Sequence, residues 1–185
     1  MNTALILAIV AIVIVVFLIA QYNKLKKLDV QVDEAFAQIE VQLQRRADLI
    51  PNLVETVKGY ASHEADVLQK VVEARAQSTN AEGLTAVAAA DGSLTSALRG
   101  LLAITENYPD LKASANFIAL QEELSTTENK VGFARQFYND KVRQLNQAIV
   151  TVPTNFFAGF ANVAKRDFYE IDDPTKRDVP KVSFN

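Results

Sequence analysis

His63 and Glu64 are the residues whose types most directly invite chemistry. On a helix, His-Glu can open an H-E-x-x-H arrangement, in which two imidazoles hold zinc and the glutamate acts as general base. Four residues beyond His63 stands Val67, and the chain has no second histidine and no cysteine, so a catalytic zinc site lacks ligands. A polar contact with a neighbouring helix is the simpler role for His63 and Glu64. The missing cysteine also removes a thiol nucleophile, a disulfide and a lipidated-cysteine anchor. With His63 as the sole imidazole, no Ser-His-Asp set can be drawn, and no nucleophile elbow or glycine-rich phosphate loop is present. The expectation is a non-enzyme with no catalytic residue, metal or cofactor.

Arg45 and Arg46 form the second candidate. Arg46 lies on or beside the apolar stripe between Leu43 and Ile50, where a charge needs an explanation. Its stem could pack while its head snorkels to water. Alternatively it pairs with a carboxylate on another helix, for which Glu128 is the candidate; such a pair would fix register more than add net stability. Glu122, Glu123, Arg135, Asp140, Lys141 and Arg143 mix signs as a solvated helix face or seam flank does.

The elements that must hold this pair are helical. Leu25, Leu28, Val32, Ala35, Ile39 and Leu43 recur at threes and fours, and the phase continues through Ile50, Leu53, Val57, Tyr60, Val67, Val71 and Ala74. Pro51 interrupts the residue types but not the phase, which favours one long kinked helix. The rival reading caps a new helix at Asn52, with Glu55 three residues on. Residues 78–93, rich in Ser, Thr, Asn, Gly and Ala, read as a connection that lets the chain reverse. Leu94, Leu98, Leu101 and Leu102 mark a short helix ended before Pro109, with Asp110 a cap for the next helical segment. From Phe117 through Leu124, Thr127, Val131, Ala134, Tyr138, Val142 and Leu145 to Ile149 runs a helix of about ten turns. Phe156, Phe157, Phe160 and Val163 make a short amphipathic piece, and residues 165–185 an irregular charged tail. Long helices with one apolar stripe must bury it on one another. The predicted fold is all-α, an N-terminal transmembrane helix followed by an elongated antiparallel bundle of three or four long helices. Its parts are an anchor over 1–23, the bundle over 24–164 and the tail over 165–185.

The anchor is the run Ala4 to Ala20, seventeen residues without a polar side chain. With its flanks it makes about 31 Å of helix, matching a hydrocarbon core of about 30 Å. No Lys or Arg precedes it and no A-x-A-like site follows, so a retained span is expected rather than a cleaved signal. Lys24, Lys26 and Lys27 follow the span and place the bundle on the cytoplasmic side. Ala4, Ala8 and Ala11 form a row of small residues of the kind that lets spans associate. Phe156, Phe157 and Phe160 then belong at a subunit contact or on the membrane surface. A formal net charge of −3, without clustered Lys and Arg, excludes nucleic acid as partner.

Five stretches resemble the LemA family of bacterial membrane proteins. They are QYNKL at 21–25, VQLQRRADLIPNLVETVKGYASHE at 41–64, ENYPDLKA at 106–113, LQEELSTTENKVGFARQFYNDKV at 120–142 and VPTNFFA at 152–158, in order over most of the chain. The resemblance implies a bacterial inner-membrane protein with one span and a helical bundle. One branch of that family acts in building magnetosome membranes; for most members no biochemical activity is defined. Some members carry a lipobox cysteine, which this chain lacks, and would sit outside the cytoplasm. The expected function is a membrane-anchored scaffold that self-assembles as a homo-oligomer and organises proteins or membrane beside it. The alternative is an adaptor or regulator of a membrane enzyme, such as a protease or signalling system. In either case other membrane proteins are candidate partners.

Overall fold

The computed structural model describes residues 3–170 and is all-helical, with no strand among those residues. Five α-helices run in order: α1 Thr3–Lys58, α2 Ala65–Asn80, α3 Leu84–Thr105, α4 Pro109–Lys112 and α5 Ala115–Val150, before a 3-10 turn at Thr154–Phe157. The first apolar turns of α1 are wholly exposed from Ala4 to Ala20, which is consistent with a single-pass bacterial membrane protein. α3 is also long and apolar enough to span, yet its Leu94, Leu98 and Leu101 are buried, as in a core helix.

The chain divides into two compact units. The first comprises Met1–Ile39 and Phe133–Phe168. Within it, Leu25, Val32, Ala35 and Ile39 of α1 are buried, as are Tyr138, Val142 and Leu145 of α5. The ring centroids of Phe36 and Tyr138 lie 5.8 Å apart. The second unit comprises Glu40–Gly132 and Tyr169–Asn185. Its core joins Ile50, Leu53 and Val57 of α1, Leu68 and Val71 of α2, Leu94, Leu98 and Leu101 of α3, Leu111 of α4, and Phe117 and Leu124 of α5.

Three features of the second unit differ from, or decide between, the sequence readings. α1 continues through Pro51, and the break falls after Lys58. Proline has no N–H to donate to the carbonyl of Ala47. That carbonyl instead accepts the Nε–H of Arg75, from α2, at 2.9 Å, so an orphaned backbone group is satisfied by a neighbouring helix. Second, the connection expected over 78–93 shrinks to Ala81–Gly83, and α3 starts at Leu84 instead of near Leu94. Gly83 supplies the φ of 80° at this reversal, a backbone region side-chain-bearing residues rarely adopt. The alanines of 86–90 are good helix formers, and the packing of α3 on α2 recruits them. Third, Pro109 opens α4, with Tyr108 as its N-cap, whereas Asp110 lies inside the first turn.

Candidate functional site

α1 places Leu43, Arg46 and Ile50 on one buried face, so Arg46 takes a core position in phase with its neighbours. α3 does the same with Val87, Asp91, Leu94 and Leu98. The two charges meet: Arg46 Nη2 forms an ion pair with Asp91 Oδ1, and both side chains are essentially inaccessible, at 1% and 0%. Arg46 Nη1 donates to Thr95 Oγ1 at 3.1 Å and to Glu128 Oε2 at 2.6 Å. Thr95 stands one turn beyond Asp91 on the same helix face, and Glu128 comes from α5. The other oxygen of Asp91 accepts the hydroxyl of Tyr169 at 2.6 Å. A buried ion pair is tolerable only when further hydrogen bonds satisfy its remaining valences. Arg46 and Asp91 largely meet that condition, with Arg46 Nε the one guanidinium nitrogen lacking an acceptor. The head of Arg46 is buried, so the snorkelling reading is set aside.

Both Asp91 oxygens and both terminal nitrogens of Arg46 are engaged by their neighbours, which makes the arrangement a lock on α1, α3, α5 and the segment carrying Tyr169. Arg45 points to solvent. His63 is exposed in the turn before α2, and Glu64 accepts the hydroxyl of Tyr108 at 3.1 Å.

A second arginine joins α1 to the segment after α5 at the partly exposed surface of the first unit. Arg166 Nη2 lies 2.9 Å from Asp29 Oδ1 and 3.1 Å from Asp33 Oδ1, one turn apart on α1. Its backbone N–H donates to Asn146 Oδ1, and its carbonyl accepts from Asn146 Nδ2. The hydrogen bond to Asp29 holds the Arg166 guanidinium even more firmly protonated, against the opposing pull of burial. Nearby, Tyr138 donates to the carbonyl of Asp167 at 3.0 Å, and burial pushes its phenol above the usual tyrosine range.

Ala4, Ala8 and Ala11 are exposed along α1, Phe156 and Phe160 are exposed, and Phe157 is half-buried. The structure thus brings Arg46 to Glu128, with Thr127 rather than Glu128 taking the buried position on α5. Sequence reasoning missed Asp91 and Tyr169. Asp91 had a readable signal: Val87, Asp91, Leu94, Leu98, Leu101 and Thr105 alternate by fours and threes, but the Asp-Gly-Ser composition around Asp91 disguised it as a loop. Tyr169, within a charged and proline-containing segment, had none.

A family model described as the LemA family matches residues 35–184. Protein LemA of Metamycoplasma hominis is 25% identical over 154 residues, covering 83% of this chain and 68% of that protein. Magnetosome protein MamQ of Magnetospirillum gryphiswaldense is 24% identical over 194 residues, covering 89% of this chain and 71% of its own length. Magnetosome protein MamQ 2 of Paramagnetospirillum magneticum is 21% identical over 179 residues, covering 83% and 66%. The chain therefore spans about two thirds of each of these relatives. With the family model extending from the middle of α1 across the Arg46 cluster to residue 184, the chain belongs to the LemA family.

Proposed function

We propose that this protein is a non-enzymatic, membrane-anchored scaffold whose helices form an antiparallel bundle and which self-assembles beside the membrane. The carrying observation is a pair of aromatics on α5: Phe133 and Phe137, one turn apart, are both exposed, Phe133 by 72%. Large apolar groups clustered on a helix face are what an interacting surface offers. Among the described residues, the buried Arg46 and Asp91 are engaged with each other and with their neighbours. The row Ala4, Ala8 and Ala11 adds a second route, since small residues let spans approach closely. Two relatives named as magnetosome proteins support a role in membrane organisation.

Crosslinking in native membranes followed by sizing of the detergent-extracted particle tests assembly. A homo-oligomer that shrinks on Phe133→Ser with Phe137→Ser supports the reading, and a strict monomer removes it. A stoichiometric foreign partner without a homo-oligomer would instead make the protein an adaptor of a membrane enzyme. Lys24, Lys26 and Lys27 favour the cytoplasmic side for the helical region. A cysteine at Ser78 should then resist an impermeant thiol reagent in intact cells, and ready labelling would reverse the topology.

A further inference from the structure

We infer that the tip following α5, from Val150 to Phe160, docks into the headgroup-level interface of the bilayer that the Ala4–Ala20 run crosses. This rests on the reading of that run as a membrane span. The first argument is register, within the first unit. The Phe36 ring meets that of Tyr138, and Lys141 Nζ donates to Gln31 Oε1 at 3.4 Å. Going back along α1 therefore goes forward along α5, and the two run antiparallel. Nine residues back from Gln31 is Tyr22, and nine residues on from Lys141 is Val150. Both stretches are helical, and each covers about 13 Å at about 1.5 Å per residue. The end of α5 is thus level with Tyr22, two residues past the apolar run, where a span leaves the hydrocarbon.

The second argument is what the tip displays. Thr154, Ala161 and Val163 are buried and fasten the segment down. Val150, Val152, Phe156 and Phe160 face outward, the two phenylalanines by 67% and 87%. Rings so exposed on a pinned turn have an apolar phase beside them at this level, the lipid, and no partner has to be recruited.

The third argument is charge. From Gln144 to Ala164 no residue is charged, the longest such run after residues 1–23. An interfacial segment must avoid charges on its inserted face and tolerates them at its rim. Exposed Lys24, Lys27 and Lys165 flank the two uncharged runs, where they complement anionic phosphates.

The absence of cysteine makes a single-label test direct. Gly159→Cys keeps every apolar side chain of the tip, and a Cβ added there meets nothing within 4 Å. The full-length variant, labelled with bimane, is reconstituted into vesicles of phosphatidylethanolamine and phosphatidylglycerol carrying bromine high on the acyl chain, or near its end for the mid-span Ile12 label. Ile12→Cys reports the span, and Gln136→Cys, about 21 Å before Val150 along α5, reports a helix face clear of the bilayer. Bromolipid should quench the labels at Ile12 and Gly159 and leave Gln136 bright. Adding Phe156→Ser and Phe160→Ser to Gly159→Cys should abolish that quenching without loss of helicity. A bright Gly159 label beside a quenched Ile12 label overturns tip docking alone, as does quenching that survives the double serine. A Gly159 label shielded from both bromolipid and aqueous iodide would mean that a second copy covers the tip, which also overturns it. A bright Ile12 label removes the span reading and the docking together.

Discussion

The two compact units each contain an arginine held by two carboxylates, Arg46 by Asp91 and Glu128 and Arg166 by Asp29 and Asp33. The chemistry is the same and the solvent is not. Arg46 is 1% accessible and its main partner 0%, whereas the side chains of Arg166 and Asp33 are 40% and 63% accessible. Removing one partner of a buried pair strands a charge in a medium that cannot solvate it, while an exposed pair dissolves into water at little cost. The comparison teaches that the ion cluster of the second unit specifies its packing, and that of the first unit trims a surface.

The sharpest way to break this contrast is Arg46→Met, which leaves the Asp91 carboxylate buried without its guanidinium. It should cost about 3–5 kcal/mol in chemical denaturation of the full-length protein in detergent. Arg46→Met with Asp91→Leu should recover most of that loss, because an apolar pair of similar volume needs no compensating charge. Exchanging Arg46→Glu with Glu128→Arg should not recover it, since a glutamate at position 46 would face Asp91. Recovery by the exchange would show that Asp91 contributes little and that Arg46 and Glu128 act as a simple pair.

A smaller effect is expected from Tyr169→Phe, which removes a hydroxyl donor from a buried carboxylate while keeping the ring. Hydrogen bonds to charged groups contribute about 1.5–3 kcal/mol. A loss within that range, read by the same denaturation, places the segment after Lys165 inside the cooperative unit. An unchanged midpoint would mean that Tyr169 rests on the cluster without supporting it.

The smallest effect belongs to Arg166→Gln, at about 1 kcal/mol or less, with Asn146 still holding the backbone of residue 166. The loss should shrink further as salt rises, because ions screen exposed charges. The Arg46→Met loss should hardly respond to salt. Equal salt dependence in the two variants would erase the distinction between the clusters.

The long stripes of α1 and α5 were legible because each presents large apolar side chains at threes and fours over many turns, and that pattern has one solution. The first half of α3 was not, because its alanines favour helix but show no large apolar stripe, the glycine, serine and aspartate beside them disfavour it, and tertiary contact with α2 decides the outcome. The same imbalance governs the ion cluster. Arg46 stood out as a large charge on an apolar stripe, and a partner on α5 could be named. Asp91 lay in a stretch with no visible stripe.

By itself the sequence determined an all-helical chain with an apolar N-terminal helix, and it brought forward Arg46 and Glu128, because periodicity and hydropathy are local properties carried by neighbouring residues. Only the tertiary structure decided that α1 survives Pro51 with the help of Arg75, that Asp91 is the buried counter-ion, and that Tyr169 closes the cluster. Each of these joins groups 28 to 78 residues apart in the chain, and no local pattern encodes which distant donor meets a given acceptor. That choice is made when helices pack and every buried polar group must find a partner.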